Sequence, residues 1–491
     1  MKIALYIVLG LLALLLLLLL IALVRTLFSP RRRASYVAPP AGSRAQIYAG
    51  KLSRMVKAET VSIPGVDQRE KFLAFHAVLE ELFPLVHRNL EKTEIDGNLL
   101  FRWEGLSCDK PLVLMSHQDV VPVEGEWKHA PFSGDIADGL VWGRGTADTK
   151  CSLMAFFQAV EELLAEGYVP PQDVYLSASC TEEYAGTGCQ KLVNELKRRG
   201  VKPFLVCDEG GGIITDPIGG VSGNFAMLGV FEKGKADVKF TARSDGGHAS
   251  APPRNSPIAR LAAFEHEMER RSPFRRRFMP EVEDLFKGLA PYAHFGLRFL
   301  FSNFWLFRPL LLRVMPSVSA QAGAMLGTTI AFTMQSGSDA CNVLPQEASV
   351  WANLRFIPHQ GMEESLQLLE KRARQHGLEM DVLVASDYSE PADRESEAWK
   401  LAVRTVEQSF PGVPACPYVM TGATDARNYQ EICSCCVRFA PVIYGPEQLK
   451  GMHGINETIS VACLPGAVDF YRNLIAAMPG ADAESEAPKE A

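Results

Sequence analysis

The stretch Pro111-Leu-Val-Leu-Met-Ser-His-Gln-Asp-Val-Val-Pro-Val123 decides how this chain is to be read. Pro111 to Met115 is a short apolar run of the kind that forms a buried strand. It delivers His117 and Asp119 at its end, one residue apart. Residues two apart on an extended strand point the same way, so an imidazole and a carboxylate are aimed together beyond the strand. A histidine backed by a carboxylate is the usual arrangement of a metal ligand and its support. Taken alone, an HxD pair reads rather as a strand end followed by a polar turn. The rest of the chain has to supply further ligands.

Downstream the pattern recurs. Gly143-Arg-Gly-Thr-Ala-Asp-Thr-Lys150 precedes the helix-like Ser152 to Glu166, which sets Asp148 in a Gly-rich turn at a helix start. The positive end of the helix dipole favours an anion there and leaves a carboxylate free to bridge cations. A phosphate loop is not indicated, because its Gly-x4-Gly-Lys-Ser/Thr signature is missing. The strand-like Asp173 to Cys180 runs into Thr181-Glu182-Glu183. Adjacent carboxylates on an extended chain face opposite ways, so one can ligate a metal while the other reaches the water on it. The run Pro203 to Cys207 ends in Asp208-Glu209 and three glycines, and Met452-His453-Gly454 offers another imidazole in a flexible turn. In open α/β sheets, sites gather at the carboxyl ends of the strands.

The collected set is His117, Asp148, Glu183, Asp208 and His453, with Asp119 and Glu182 beside it. Two imidazoles and three carboxylates suit two borderline divalent ions, zinc foremost and cobalt or manganese as alternatives, with one carboxylate shared. Two ions roughly 3.5–4 Å apart clamp a hydroxide and polarise a carbonyl. Glu182 is the natural general base, an unligated carboxylate able to take a proton from water and pass it to a leaving amine.

Composition bounds the rest. A chain of 491 residues exceeds one ordinary core, so two domains are expected. A formal charge of −7 leaves no basic footprint for nucleic acid. The eleven cysteines are scattered, apart from the crowded Cys433, Cys435 and Cys436, and indicate no disulfide framework. Ile3 to Val24 is uncharged and almost purely Leu, Ala, Ile and Val. That matches the roughly 20 residues that cross a bilayer and exceeds the core of about 7–15 residues of a cleaved signal. A single-pass anchor over 3–24 is therefore expected, followed by a linker over 25–46. Lys2 precedes the anchor and Arg25, Arg31, Arg32 and Arg33 follow it. The positive-inside rule taken literally puts the body in the cytoplasm, although a large translocated domain overrides it, so the side stays open.

Together these motifs resemble the dinuclear zinc peptidase and amidohydrolase family that includes carboxypeptidase G, carboxypeptidase S and the aminoacylases. The resemblance covers most of residues 50–478. It rests on His-Gln-Asp-Val-Val-Pro-Val, Gly-Arg-Gly-Thr-Ala-Asp-Thr-Lys, the Glu-Glu pair, Asp208 and Met-His-Gly, and it is nearest the branch of carboxypeptidase S and the N-acyl amino acid hydrolases. It implies that His117 and Asp208 hold one zinc and Glu183 and His453 the other. Asp148 would bridge both, Asp119 would orient His117, and Glu182 would be the base. One departure is Cys151, where the family often has Gly.

The resemblance also implies an α/β fold, with a catalytic domain of mixed, mainly parallel sheet and an inserted α+β lid of dimerisation type. The catalytic parts would span 47–228 and 387–478 and the lid 229–386, with a disordered tail over 479–491. In the middle section, the alternating Ala236 to Arg243, the helix-like Pro257 to Arg271 and the strands from Thr328 and Ala348 agree with such an insert. In the lid, His248 would stabilise the oxyanion, in some members from the neighbouring subunit of a homodimer. Asn342 and Arg355 match substrate-binding positions, Arg355 clamping a free carboxylate. Gly422 to Arg427 resembles a loop lining the cleft.

Two further segments stand apart. The apolar block Phe295 to Met315 carries Arg298, Arg308 and Arg313, which argues against a bilayer span. It reads as lid core, with an acyl-chain wall or a face lying on the membrane as the alternative. Asn456-Glu-Thr458 is a glycosylation sequon.

The expected protein is thus a membrane-anchored dizinc hydrolase cleaving an amide next to a free carboxylate in small peptides or N-acyl amino acids. A deacetylase or desuccinylase on the same scaffold and a non-catalytic binding module are the alternatives. A binding module would have no need of Glu182.

Overall fold

The strand Leu112–His117 is buried along its whole length. Its apolar run serves both faces of the sheet: Leu112 and Leu114 belong to one packed layer, Val113 and Met115 to the other. Such a strand suits the middle of a parallel sheet covered on both sides. In the computed structural model, which describes residues 2–480, it pairs in parallel with Val174–Ser179 on one side and Leu205–Asp208 on the other. The sheet has ten strands. Its main path runs Glu91–Ile95, Asn98–Trp103, Val174–Ser179, Leu112–His117, Leu205–Asp208, Cys436–Arg438, Asn224–Glu232, Gly212–Thr215 and Ile443–Tyr444, and Ala415–Met420 joins Asn224–Glu232 in parallel off that path. Parallel pairing runs through the centre and recurs at one edge, where Ile443–Tyr444 joins Gly212–Thr215, while Glu91–Ile95 and Asn98–Trp103 form an antiparallel hairpin at the other edge.

Helices cover both faces. Ser43–Val56, Lys150–Ala165 and Leu464–Ala476 pack on the Leu112/Leu114 side, while Gly188–Arg198 and Ala426–Tyr429 pack on the Val113/Met115 side. The fold is therefore a three-layer α/β sandwich. Because the central strands share one direction, His117, Ser179 and Asp208 all lie at the same edge of the sheet.

A second, separate sheet is antiparallel, in the order Thr329–Ser336, Glu347–Phe356, Gly234–Arg243, Glu379–Ser386. Ala236, Val238, Phe240 and Ala242 alternate inward and pack with Leu261, Phe264 and Met268 of helix Pro257–Arg270 and Leu369 and Ala373 of helix Met362–Gln375. The two sheets are joined where Asn224–Glu232 runs on through Lys233 into Gly234–Arg243. Lys233 is fully buried and its Nζ donates to the carbonyls of Ala324 and Gly327, each at 2.8 Å.

The apolar block read as lid core lies elsewhere. It forms two helices, Phe295–Phe301 and Phe304–Val318, whose Phe301, Phe304, Leu311 and Met315 are buried with Phe278 and Phe286 in the main core. The second sheet fills its own inner face with Leu261, Phe264 and Leu369, so the block packs instead on the larger layer. Cys433, Cys435 and Cys436 are buried free thiols.

The apolar amino-terminal segment is one helix, Lys2–Phe28, long and apolar enough to cross a membrane. Along it only Ala22 and Thr26 are buried. Residues 29–42 lack regular structure yet lie against the body: Asn224 donates to the Tyr36 carbonyl at 3.0 Å, and the Tyr36 ring meets Phe410 edge-on. The expected tail beyond Gly480 lies outside the described residues.

Candidate metal centre

His117 closes its strand and Asp119 folds back beneath it. The His117 Nδ1 contacts the Asp119 main-chain carbonyl at 2.9 Å and the Asp119 carboxylate at 3.5 Å. With Nδ1–H directed at that carbonyl, Nε2 is left as the lone-pair nitrogen facing outward. Asp119 also ties in the next strand end. Its carboxylate accepts from the backbone amides of Glu182 (3.3 Å) and Glu183 (3.1 Å) and from the Ser62 hydroxyl (2.7 Å). Gln118, between the two, points away and accepts from His76 at 2.9 Å.

Asp148 sits in the Gly-rich turn between strand Leu140–Trp142 and helix Lys150–Ala165. Gly145 holds φ at +86°, and a Cβ there would meet Val120 at 2.8 Å, so the turn needs glycine. One Asp148 oxygen lies 3.2 Å from His117 Nε2 and the other 3.0 Å from His453 Nε2. His453 Nε2 is also 3.1 Å from Glu183 Oε2. Each oxygen of Asp148 thus faces a different imidazole, as a carboxylate shared between two cations would. Two groups of potential ligand atoms result, His117/Asp148/Glu209 and Asp148/Glu183/His453, with the atoms of each within 4.8 Å of one another.

Glu209, not Asp208, joins the first group. Asp208 is turned into the fold, one oxygen accepting from the Glu209 amide (2.8 Å) and the other from the Ala426 amide (2.7 Å). Asp208 is the last residue of its strand, paired with Arg438, and Glu209 begins the bend that follows it. Asp208, expected as a ligand, has both oxygens engaged by backbone amides, with His117 close enough to act on its carboxyl.

The electrostatics fit bound cations. Burial and the neighbouring carboxylates push Glu182 and Glu209 well above the ordinary carboxyl range, and burial with Asp208 nearby takes Asp425 to about 8. Burial opposes protonation of His117, but Asp119 and Asp148 outweigh it and raise its pKa. The same two kinds of partner, Asp148 and Glu183, lift His453 to about 10. The buried Arg438 in the wall is already paired with Glu232 at 2.7 Å. A nest of acids and imidazoles of this composition suits divalent ions with N and O ligands.

Glu182 is half-buried next to this cluster, in the field of His117, Glu209 and Glu183. His248 and Asn342 are elsewhere. Both lie at an exposed two-stranded ribbon, Gly247–His248 with Val343–Leu344, where the Ala249 amide donates to the Asn342 carbonyl at 3.0 Å. Arg355 stands on the second sheet, donating to Asn353 at 3.0 Å, with Arg427 and Lys233 near enough to feel its charge. Among the described residues no hydrogen bond or ion pair joins His248, Asn342 or Arg355 to the cluster. Cys151 is a packed thiol whose Sγ contacts the Ala147 carbonyl at 3.5 Å and whose pKa burial pushes up.

Three acids escape the sequence reading. Glu209 is hidden by its neighbour Asp208. Asp425, which accepts from the Ser179 hydroxyl, lies in the loop Gly422 to Arg427. Glu457 looks like the middle of a sequon, and its signal was its position four residues after His453.

The chain matches the model described as Peptidase family M20/M25/M40 over residues 113–477. It is 33% identical over 441 residues to the probable carboxypeptidase S-like 2 of Dictyostelium discoideum, covering 87% of this chain and 84% of that one. It is 35% identical over 371 residues to the N-fatty-acyl-amino acid synthase/hydrolase of Homo sapiens, covering 74% of each. Its fold is similar to that of an M20 family metallo-carboxypeptidase from Sulfolobus solfataricus, with a TM-score of 0.66 at 19% identity over 87% of this chain and 98% of the other.

Proposed function

Given that the chain belongs to Peptidase family M20/M25/M40 and is a metal-dependent peptidase or amidohydrolase, we propose that it cleaves an amide next to a free carboxylate in N-acyl amino acids or small peptides. The observation that carries this reading is the convergence of His117, Asp148, Glu183 and His453 within 3.2 Å contacts, beside Glu182. His117, Asp148 and Glu209 would hold one divalent ion and Asp148, Glu183 and His453 the other, zinc being the best match to two imidazoles and three carboxylates. Such ions, when bound, polarise the scissile carbonyl and acidify the attacking water.

The remaining chemistry belongs to the chain. Glu182 takes the proton from the water and hands it to the departing nitrogen. Asp119 keeps His117 in the tautomer that presents Nε2 and fixes the amides of Glu182 and Glu183. Arg355 would receive the substrate carboxylate, since its charge and that of Arg427 repel each other and an anion between them relieves that repulsion. The four-stranded sheet, which carries Arg355, acts as the lid together with the two-stranded ribbon that bears His248 and adjoins Asn342. The ribbon bearing His248 is exposed, which suits a role across a homodimer. Helix Lys2–Phe28 anchors the enzyme in a membrane.

A panel of N-acyl amino acids of graded acyl length and of dipeptides, assayed with zinc and with chelator, tests the reading. Chelator-sensitive release of a free amino acid is expected. Turnover confined to substrates lacking a carboxylate beside the scissile amide would overturn it.

A further inference from the structure

We infer that the helix pair Phe295–Phe301 and Phe304–Val318 is a membrane-docking face, lying on the bilayer surface from which helix Lys2–Phe28 emerges. The inference rests on the anchor reading and goes beyond it, because it assigns a lipid-facing role to the folded body.

The depth follows from the anchor. Its apolar run from Ile3 to Val24 is about 33 Å long at 1.5 Å per residue, close to the roughly 30 Å hydrocarbon core. Ala22 and Thr26 therefore sit at one edge of that core. They are the two buried residues of the anchor, and what buries them is the joint of the helix pair. Asn303, fully buried between the two helices, donates through Nδ2 to the Ala22 carbonyl (3.1 Å), the Thr26 hydroxyl (2.9 Å) and the Phe299 carbonyl (2.9 Å). Beyond the exit, the Arg32 amide donates to the Pro291 carbonyl at 2.9 Å, just ahead of the first helix of the pair. The joint is thus clamped at the level where hydrocarbon gives way to headgroups.

The surface chemistry suits that level. The inner side of the pair is fixed in the main core through Phe301, Phe304, Leu311 and Met315. The outer side leaves Phe295, Trp305, Leu310, Val314 and Val318 between 43% and 78% exposed, an unusual concentration of large apolar groups on a folded surface. The cations of the pair are Arg298, Arg308 and Arg313, and it has no acid from Phe295 to Val318. Arg25, Arg31, Arg32 and Arg33 extend the basic rim along the exit. A Trp beside the interface, apolar groups below it and arginines around it match a helix lying on an anionic bilayer.

The test uses the full chain reconstituted in phosphatidylcholine/phosphatidylserine vesicles with acyl-brominated lipids, which quench nearby tryptophan. Part of the emission should be quenched in the native chain, and that part should be lost in Trp305→Phe and diminished in Leu310→Glu/Val314→Glu, with thermal melting unchanged. Carbonate extraction of the same vesicles reads the anchor separately. Carbonate-resistant protein whose quenching is the same with and without Trp305 would overturn the docking face and leave the anchor standing. Full extraction by carbonate would remove the anchor reading and the inference with it. Unquenched Trp305, together with a mass in light scattering that halves in Leu310→Glu/Val314→Glu, would give the face to a second copy instead.

Discussion

The carboxylate of Glu457 lies against the backbone amide of Asp148, Oε1 accepting from it at 3.0 Å and from the Ala147 amide at 2.8 Å. The other oxygen accepts from the Gly145 amide at 3.1 Å and from Arg144 at 2.8 Å, and Arg144 donates onward to the Gly454 carbonyl at 2.7 Å. One buried ion pair therefore ties the turn that carries Asp148 to the turn that carries His453.

Glu457→Gln should accordingly act through its neighbours. A side-chain amide has one acceptor oxygen, so its NH2 end would face amides that now find a carboxylate. Hydrolysis should fall roughly 10–100-fold with metal content reduced, as for other groups that support metal ligands. Glu457→Ala leaves Arg144 buried and unpaired, a cost of about 3–5 kcal/mol that thermal melting would register. Full metal content and full activity in the Gln variant would deny Glu457 this positioning role.

Glu182→Gln separates binding from chemistry. The variant should keep its metal and its melting temperature and lose roughly 10²–10⁴-fold in kcat, the usual worth of a general base. Metal analysis alongside steady-state kinetics checks both halves, and near-native turnover in a metal-loaded variant would take the role from Glu182.

The pair Asp208 and Glu209 can be told apart by what each variant loses. Glu209→Gln should bind one equivalent of metal fewer. Asp208→Asn should keep the metal but lose stability by about 1–3 kcal/mol, because one of the two amides it now accepts from would be left facing an NH2 group. The opposite pattern in metal titration and denaturant unfolding would return Asp208 to the ligand set.

Acid stability should depend on His76. Burial lowers its pKa from 6.5 to about 4, where it hydrogen-bonds Gln118. Between those values the unfolded chain binds a proton that the folded chain refuses. The stabilisation is thus complete above pH 6.5 and is lost as pH falls toward 4, by at most roughly 3 kcal/mol. His76→Gln should flatten that part of the profile relative to the native protein in unfolding at pH 7 and pH 4.5. Parallel profiles would show that His76 is not the group responsible.

Much of the architecture is legible locally. An apolar run of five ending in His-Gln-Asp, a Glu-Glu pair after a second such run, and Gly-rich turns before helices are signals that lie within a few residues of one another. They identify strands and place acids and imidazoles at the strand ends, because side-chain alternation and turn chemistry are properties of the local backbone. The apolar length of the amino-terminal helix is legible for the same reason.

Other choices belong to the tertiary structure alone. Asp208 and Glu209 are equivalent carboxylates in sequence, and only the tertiary structure sets Asp208 against the Ala426 amide and Glu209 beside His117. Glu457 serves Asp148 because the chain returns more than three hundred residues later to the same turn. The block Phe295 to Met315 shows its hydrophobicity in sequence but not its partner, which proves to be the main core on one side, with the Asn303 joint clasping the amino-terminal helix. Local sequence determines which way a side chain points relative to its own backbone, whereas what it then meets depends on contacts between segments far apart in the chain.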